Sequence, residues 1–192
     1  MTRTLNTFSL PELRLLGDHI GSTFDSIAGN GLPDYLTSTE IFIVTSHGVL
    51  HLWCDSVEYE FQSYSEDFST WTLDKESEGL QDATNQGDRY FFHKGEELLS
   101  AELVRETTRE ISFGETSWEY ETDIAVILNL AGGKLVIQRT DLNVELLTAR
   151  FLEANDQLEI PPSDAYWEVT VDTHYEVKRE VLAVQSLLEE RR

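Results

Sequence analysis

From Asp55 to Asp123 the chain sets 19 carboxylates against five Lys or Arg, so any fold it adopts must keep those acids in water or match them to cations. That stretch holds −14 of the formal net charge of −22; the residues before it contribute −3 and those after it −5. A field of this sign repels nucleic acid and anionic membranes and favours basic partners. At physiological salt it is screened over about 8 Å, so neighbouring carboxylates feel one another and distant ones hardly do. Acidity also keeps a protein soluble or suits a salt-rich cytoplasm, and the clustering weighs against that general reading.

With 192 residues, 40% hydrophobic and 10% aromatic, the chain can bury a full core, and one domain over 1–192 is expected. Cys54 is the single cysteine, which excludes an intrachain disulfide and a thiolate metal cluster and fits a reducing compartment. The opening residues contain no apolar run of signal-peptide length, and nowhere do eighteen apolar residues follow one another. A cytoplasmic location is therefore expected.

Local patterns predict the elements. Ser9-Leu10-Pro11-Glu12 has capping-box form and opens a short helix with Leu10, Leu13, Leu16 and Ile20 on its apolar side, ending near Gly17 and Gly21. Phe24 to Ile27 reads as a short strand, ended by the turn residues from Gly29 to Pro33. Two hairpins follow, one turning at Ser46-His47-Gly48 and one at Ala131-Gly132-Gly133, each preceded by a candidate strand. They admit two accounts: an internal duplication spanning 20–62 and 104–152, or two unrelated hairpins, since turn-flanked apolar runs are generic. Val57, Tyr59 and Phe61 alternate with Glu58, Glu60 and Gln62, a strand with one acidic wet face. Residues 65–88 read as a long, loop-rich acidic excursion, with Trp71 as its anchor to the core or as an exposed contact residue. Thr173-x-x-Glu176 is a second capping box, and Val177, Val181, Val184 and Leu188 give the stripe of a C-terminal amphipathic helix. That stripe serves either the sheet or a second copy of the chain. The expected fold class is α+β, a mainly antiparallel sheet of two hairpin units with an N-terminal helix and this C-terminal helix packed on it.

Motifs of chemistry are weak. His47 and His51 have the i, i+4 spacing of a helical metal site, but Gly48 and the β-rich context make a turn and a strand whose imidazoles diverge. Asp82-x-Thr84-x-Gln86-Gly87-Asp88 resembles the front of an EF-hand calcium loop over seven residues; the twelfth position is His93 where that loop needs a bidentate Glu. The resemblance implies adventitious calcium binding at most, and neither a dedicated metal site nor a cofactor is expected. Cys54 sits between apolar Trp53 and acidic Asp55, an unfavourable setting for a thiolate nucleophile. Ala131-Gly132-Gly133-Lys134 lacks the phosphate-loop spacing and is a hairpin turn. Four lysines and no basic cluster disfavour nucleic-acid binding.

The composition therefore favours an acidic protein-binding domain that neutralises or inhibits a basic partner, in the class of toxin-immunity proteins, antitoxins and nucleic-acid mimics. Its expected contact acids are Glu58, Glu60, Glu66, Asp67, Asp74, Glu115, Glu119 and Glu121. The expected aromatic anchors are Tyr59, Tyr64, Trp71, Trp118 and Tyr120. The alternatives are a structural or adaptor domain that homodimerises through the C-terminal helix or an open sheet edge, and a hydrolase using a carboxylate of raised pKa.

Overall fold

The structure, a computed structural model, describes residues 2–29, 31–32, 35–61, 64–75, 80, 88–140, 142–160, 167 and 170–190; at residues 31, 32, 35–37, 61, 64 and 88 it describes the backbone alone. In chain order the elements are β1 (Thr2–Asn6), α1 (Leu10–His19), β2 (Phe24–Gly29), β3 (Gly31–Leu32), β4 (Tyr35–Ser38), β5 (Glu40–Thr45) and β6 (Gly48–Phe61). They continue as β7 (Tyr64–Asp74), β8 (Asp88–Tyr90), β9 (Leu98–Ser112), β10 (Glu115–Leu130), β11 (Gly133–Arg139), β12 (Leu147–Glu153), β13 (Thr173–Ala183) and α2 (Val184–Glu190). Among the described residues the chain is mostly antiparallel sheet, and with the helices α1 and α2 it falls within the α+β class.

The strands form a larger sheet in the order β13-β9-β10-β11-β12-β4-β3, with β1 added in parallel to β10, and a smaller one in the order β7-β6-β5-β2-β8. Each contains four successively paired antiparallel strands, β2-β5-β6-β7 in one, with β3 and β4 of the other sheet between β2 and β5 in the chain, and β9-β10-β11-β12 in the other. The main core draws on both sheets and both helices, with Leu13 and Leu16 of α1, Ile41, Ile43, Leu50 and Leu52 of the smaller sheet, Leu103, Val126 and Leu128 of the larger, and Val184 of α2. Removing each such side chain from water stabilises the fold by roughly 1.5–3 kcal/mol. A second cluster on the opposite face of the larger sheet is aromatic, built on Phe68, Trp118, Tyr120 and Trp167.

Helix α1 begins where its cap dictates. Glu12 reaches back to the Ser9 N–H at 2.7 Å, and its other oxygen accepts the Leu73 N–H at 3.0 Å, so the capping carboxylate also ties α1 to β7. Gly17 lies within this helix, and a Cβ there would stand 2.9 Å from Leu188 Cδ1, so the absence of a side chain lets α2 close on α1.

Two expectations fail. The C-terminal helix spans only 184–190, because 173–183 is β13, paired over its whole length with β9 from Thr173↔Ser112 to Ala183↔Glu102. Tyr175, Val177, Arg179 and Val181 face one side at period two, a pattern that a long neighbouring strand rewards and a helix of mixed faces does not. Within α2, Val184 and Leu187 are buried against the core, while Val181, on β13, is 59% exposed. The irregular excursion of 65–88, of which 76–79 and 81–87 lie outside the described residues, fails over its first part: 64–74 is β7, zipped to β6 from Phe61↔Tyr64 to His51↔Asp74. Its Ser and Thr residues serve as strand residues because Phe68, Trp71 and Leu73 are buried between them.

Candidate functional site

The acids of the middle third divide into two populations. The first lies on the arm made by the distal halves of β6 and β7. Alternation turns Tyr59 and Phe68 toward Tyr120, with ring centroids 5.8 Å and 4.8 Å from it. Glu58, Glu60, Glu66 and Asp67 remain exposed. Glu58 accepts a hydrogen bond from Ser65 Oγ at 2.5 Å and stands directly across from Asp67, a like-charge pair that destabilises the arm by about 0.2–1 kcal/mol. No Lys or Arg occurs between Arg14 and Lys75, so the arm's own strands supply no cation. Burial pushes the Tyr59 phenol above its ordinary pKa, which keeps this ring a neutral anchor of the arm.

The second population lies on the opposite face of β10, where Glu119, Glu121 and Asp123 alternate with buried Trp118, Tyr120 and Thr122. Arginines match these three. Arg109 Nε is 2.6 Å and Arg3 Nε 3.2 Å from Glu119; Arg3 Nη2 is 2.8 Å and Arg105 Nη1 3.4 Å from Glu121. Arg105 holds Asp123 through two bonds. Hydrogen bonding to Glu121 raises the Arg3 pKa. For Arg105 burial opposes the charge, and Asp123 and Glu121 outweigh it, so its pKa is raised too. Lys178 and Glu180 of β13 pair at 2.5 Å along the same face, above a groove of about 410 Å³.

The expected contact residues are thus not brought together on one surface. Glu58, Glu60, Glu66 and Asp67 share the arm; Glu119 and Glu121 lie in the arginine ladder; Glu115 is exposed at the β9–β10 turn. Asp74 sits at the far end of β7, 3.3 Å from His51 Nδ1. Trp71, Trp118 and Tyr120 are buried, with exposures of 5%, 1% and 0%, and serve the core, so they are not surface anchors. The Tyr64 backbone pairs with Phe61, and its side chain lies outside the described residues. The sequence reading missed Arg3, Arg105 and Arg109. Arg105 and Arg109 stand on one side of β9 at period two, the same spacing as their acidic partners.

Several other titratable groups among the described residues are held by neighbouring groups. His47 Nδ1 is 2.8 Å from the Asp18 carbonyl, while His51 stacks on Phe42 at 4.3 Å and lies between Glu40 and Asp74, so the two imidazoles do diverge. Among the described residues no group of three His, Cys, Asp or Glu is arranged to hold a metal. Apart from the backbone of Asp88, the stretch that resembles a calcium loop at 82–88 lies outside the described residues. Burial pushes the Cys54 thiol up to about 12, which leaves it protonated at neutral pH. The buried carboxylates of Glu106 and Asp123 meet Arg179 at 2.6 Å and Arg105 at 2.7 Å. A cleft of about 650 Å³ beside the β5–β6 turn is lined by Asp18, His19, His47 and Lys75 among others. No helix of the described residues is long and apolar enough to cross a membrane. Comparison with models of known protein families, with curated proteins and with solved structures finds no match to this chain.

Proposed function

We propose that this chain is an acidic protein-binding domain that docks on the basic surface of a partner protein and occludes it, and that the β6–β7 arm is its contact element. The supporting observation is the quartet Glu58, Glu60, Glu66 and Asp67, exposed on a two-stranded arm whose strands contain no Lys or Arg. On β10 the chain matches Glu119, Glu121 and Asp123 to arginines; on the arm it sets Glu58 across from Asp67 instead. A local conflict retained on an exposed element, with no gain to the fold, points to use by a partner. Such a field steers encounter with a cationic surface and raises the association rate more than it adds affinity. Inhibitors of basic toxins or nucleases work in this way, and this domain belongs with them on our reading.

The test uses the full chain as bait beside a variant with Glu58→Gln, Glu60→Gln, Glu66→Gln and Asp67→Asn. Proteins retained by the wild type, lost from the variant, released by raised salt and basic in composition support the proposal. Identical retention by both baits, or retention that salt does not weaken, overturns it.

A further inference from the structure

Resting on that reading, we infer that Phe113, at the tip of the β9–β10 hairpin, is an apolar anchor that inserts into a pocket ringed by Lys and Arg on the basic partner. Phe113 and Gly114 form a two-residue turn between the paired Ser112 and Glu115, with φ of +52° and +82°. Two positive φ values in such a turn call for Asn-Gly, and a bulky aromatic at the first position is strained. Burial does not offset that strain, because Phe113 is 84% exposed. The ring is therefore displayed at a loss to the fold.

Its surroundings specify the occupant. The Phe113 N–H donates to the Asp172 carbonyl at 3.0 Å, which ties this turn to the 170–172 turn, where Val171 is also fully exposed. Two apolar side chains thus project from neighbouring turns. The turns that carry them, 112–115 and 170–173, contain Glu115 and Asp172 and no Lys or Arg. An aromatic knob with an acidic rim fits an apolar pocket with a basic rim, the arrangement in which a desolvated anchor dominates binding energy and charges set the approach. The acidic arm packs on Tyr120, six residues along β10 from Gly114, roughly 20 Å at strand rise, which one protein interface spans. An anionic membrane, the other taker of an exposed aromatic, is repelled by the same rim.

The experiment places the photo-crosslinker benzoylphenylalanine at position 113 of the full chain, compares wild type with Phe113→Asn, and includes vesicles of phosphatidylserine and phosphatidylcholine. The inference expects a cross-link from position 113 to an apolar segment flanked by Lys or Arg in the protein that wild type retains. It expects about a 30-fold weaker affinity of Phe113→Asn for that protein. It also expects the Phe113→Asn midpoint of thermal unfolding to rise by about 2 °C or more, since Asn suits the turn. A midpoint that falls makes Phe113 a folding residue and overturns the inference, as does the absence of a cross-link or binding to the vesicles. Should the arm variant lose the partner while Phe113→Asn keeps it, the anchor fails and the proposed function stands. Should Phe113→Asn lose it while the arm variant keeps it, the arm is wrong and the anchor stands.

Discussion

Arg105 and Asp123 face each other across β9 and β10 with Nε–Oδ1 at 2.7 Å and Nη2–Oδ2 at 3.0 Å, and the same Oδ2 accepts the Phe8 N–H at 2.8 Å. Asp123 is wholly buried, so removing it leaves the Phe8 amide without this acceptor and Arg105 with the 3.4 Å contact to Glu121 in place of two short bonds. Asp123→Ala is expected to destabilise the protein by about 3–5 kcal/mol, and a double variant with Arg105→Met is expected to recover more than half of that loss. Urea unfolding of the two variants and the wild type checks both numbers.

Gly133 opens β11 opposite Glu153 of β12, and a Cβ there would lie 2.4 Å from the Leu152 carbonyl oxygen. Backbone cannot yield as a flexible side chain does. Gly133→Ala is expected to cost about 1–3 kcal/mol, whereas Gly114→Ala meets no atom and is opposed by its positive φ alone. Thermal unfolding of the two variants measures the difference.

His19 is buried with Nδ1 2.9 Å from Thr45 Oγ1, and burial, reinforced by His47, lowers its pKa below 6.5. Between the lowered value and 6.5 the unfolded chain binds more protons, so this contribution to stability is complete above pH 6.5 and lost as pH falls below it. Asp18 opposes the shift. Unfolding free energies at pH 7.5 and pH 5.5 are expected to fall more for the wild type than for His19→Gln.

Cys54, with its thiol pushed up to about 12, is expected to react with a disulfide reagent at pH 7.5 about a hundredfold or more slowly in the folded chain than in denaturant. Equal rates in the two states would show an exposed thiolate instead.

The elements with local signals were legible in the sequence. Ser9 and Glu12 announced α1, and the turn residues at 46–48 and 131–133 placed the two hairpins. β13 was misread because Val177, Val181, Val184 and Leu188 sit at helical spacing, and the signal that overrides it is a partner strand some seventy residues away. The pairing of acids with arginines was hidden for a subtler reason. A bulge between Thr116 and Trp118 shifts the register, so Arg109 stands across from Glu119; without it Trp118 would occupy that place. Charge summed along the chain could not separate the β10 acids, which arginines of β1 and β9 pair, from those exposed on the arm. The aromatics show the same limit, since Trp118 and Tyr120 alternate with acids and are nonetheless core.

The central claim is that the field left after internal pairing is concentrated on the β6–β7 arm. Nuclear relaxation by a cationic nitroxide, compared amide by amide with a neutral one of the same size, reads the near-surface potential directly. The account predicts the strongest enrichment of the cation at amides of 56–61 and 64–69, weaker enrichment along the exposed face of β13 at 176–180, and a loss of the difference when Glu58, Glu60, Glu66 and Asp67 are neutralised. An enrichment spread evenly over the surface, or greatest beside Glu119 and Glu121, would contradict it.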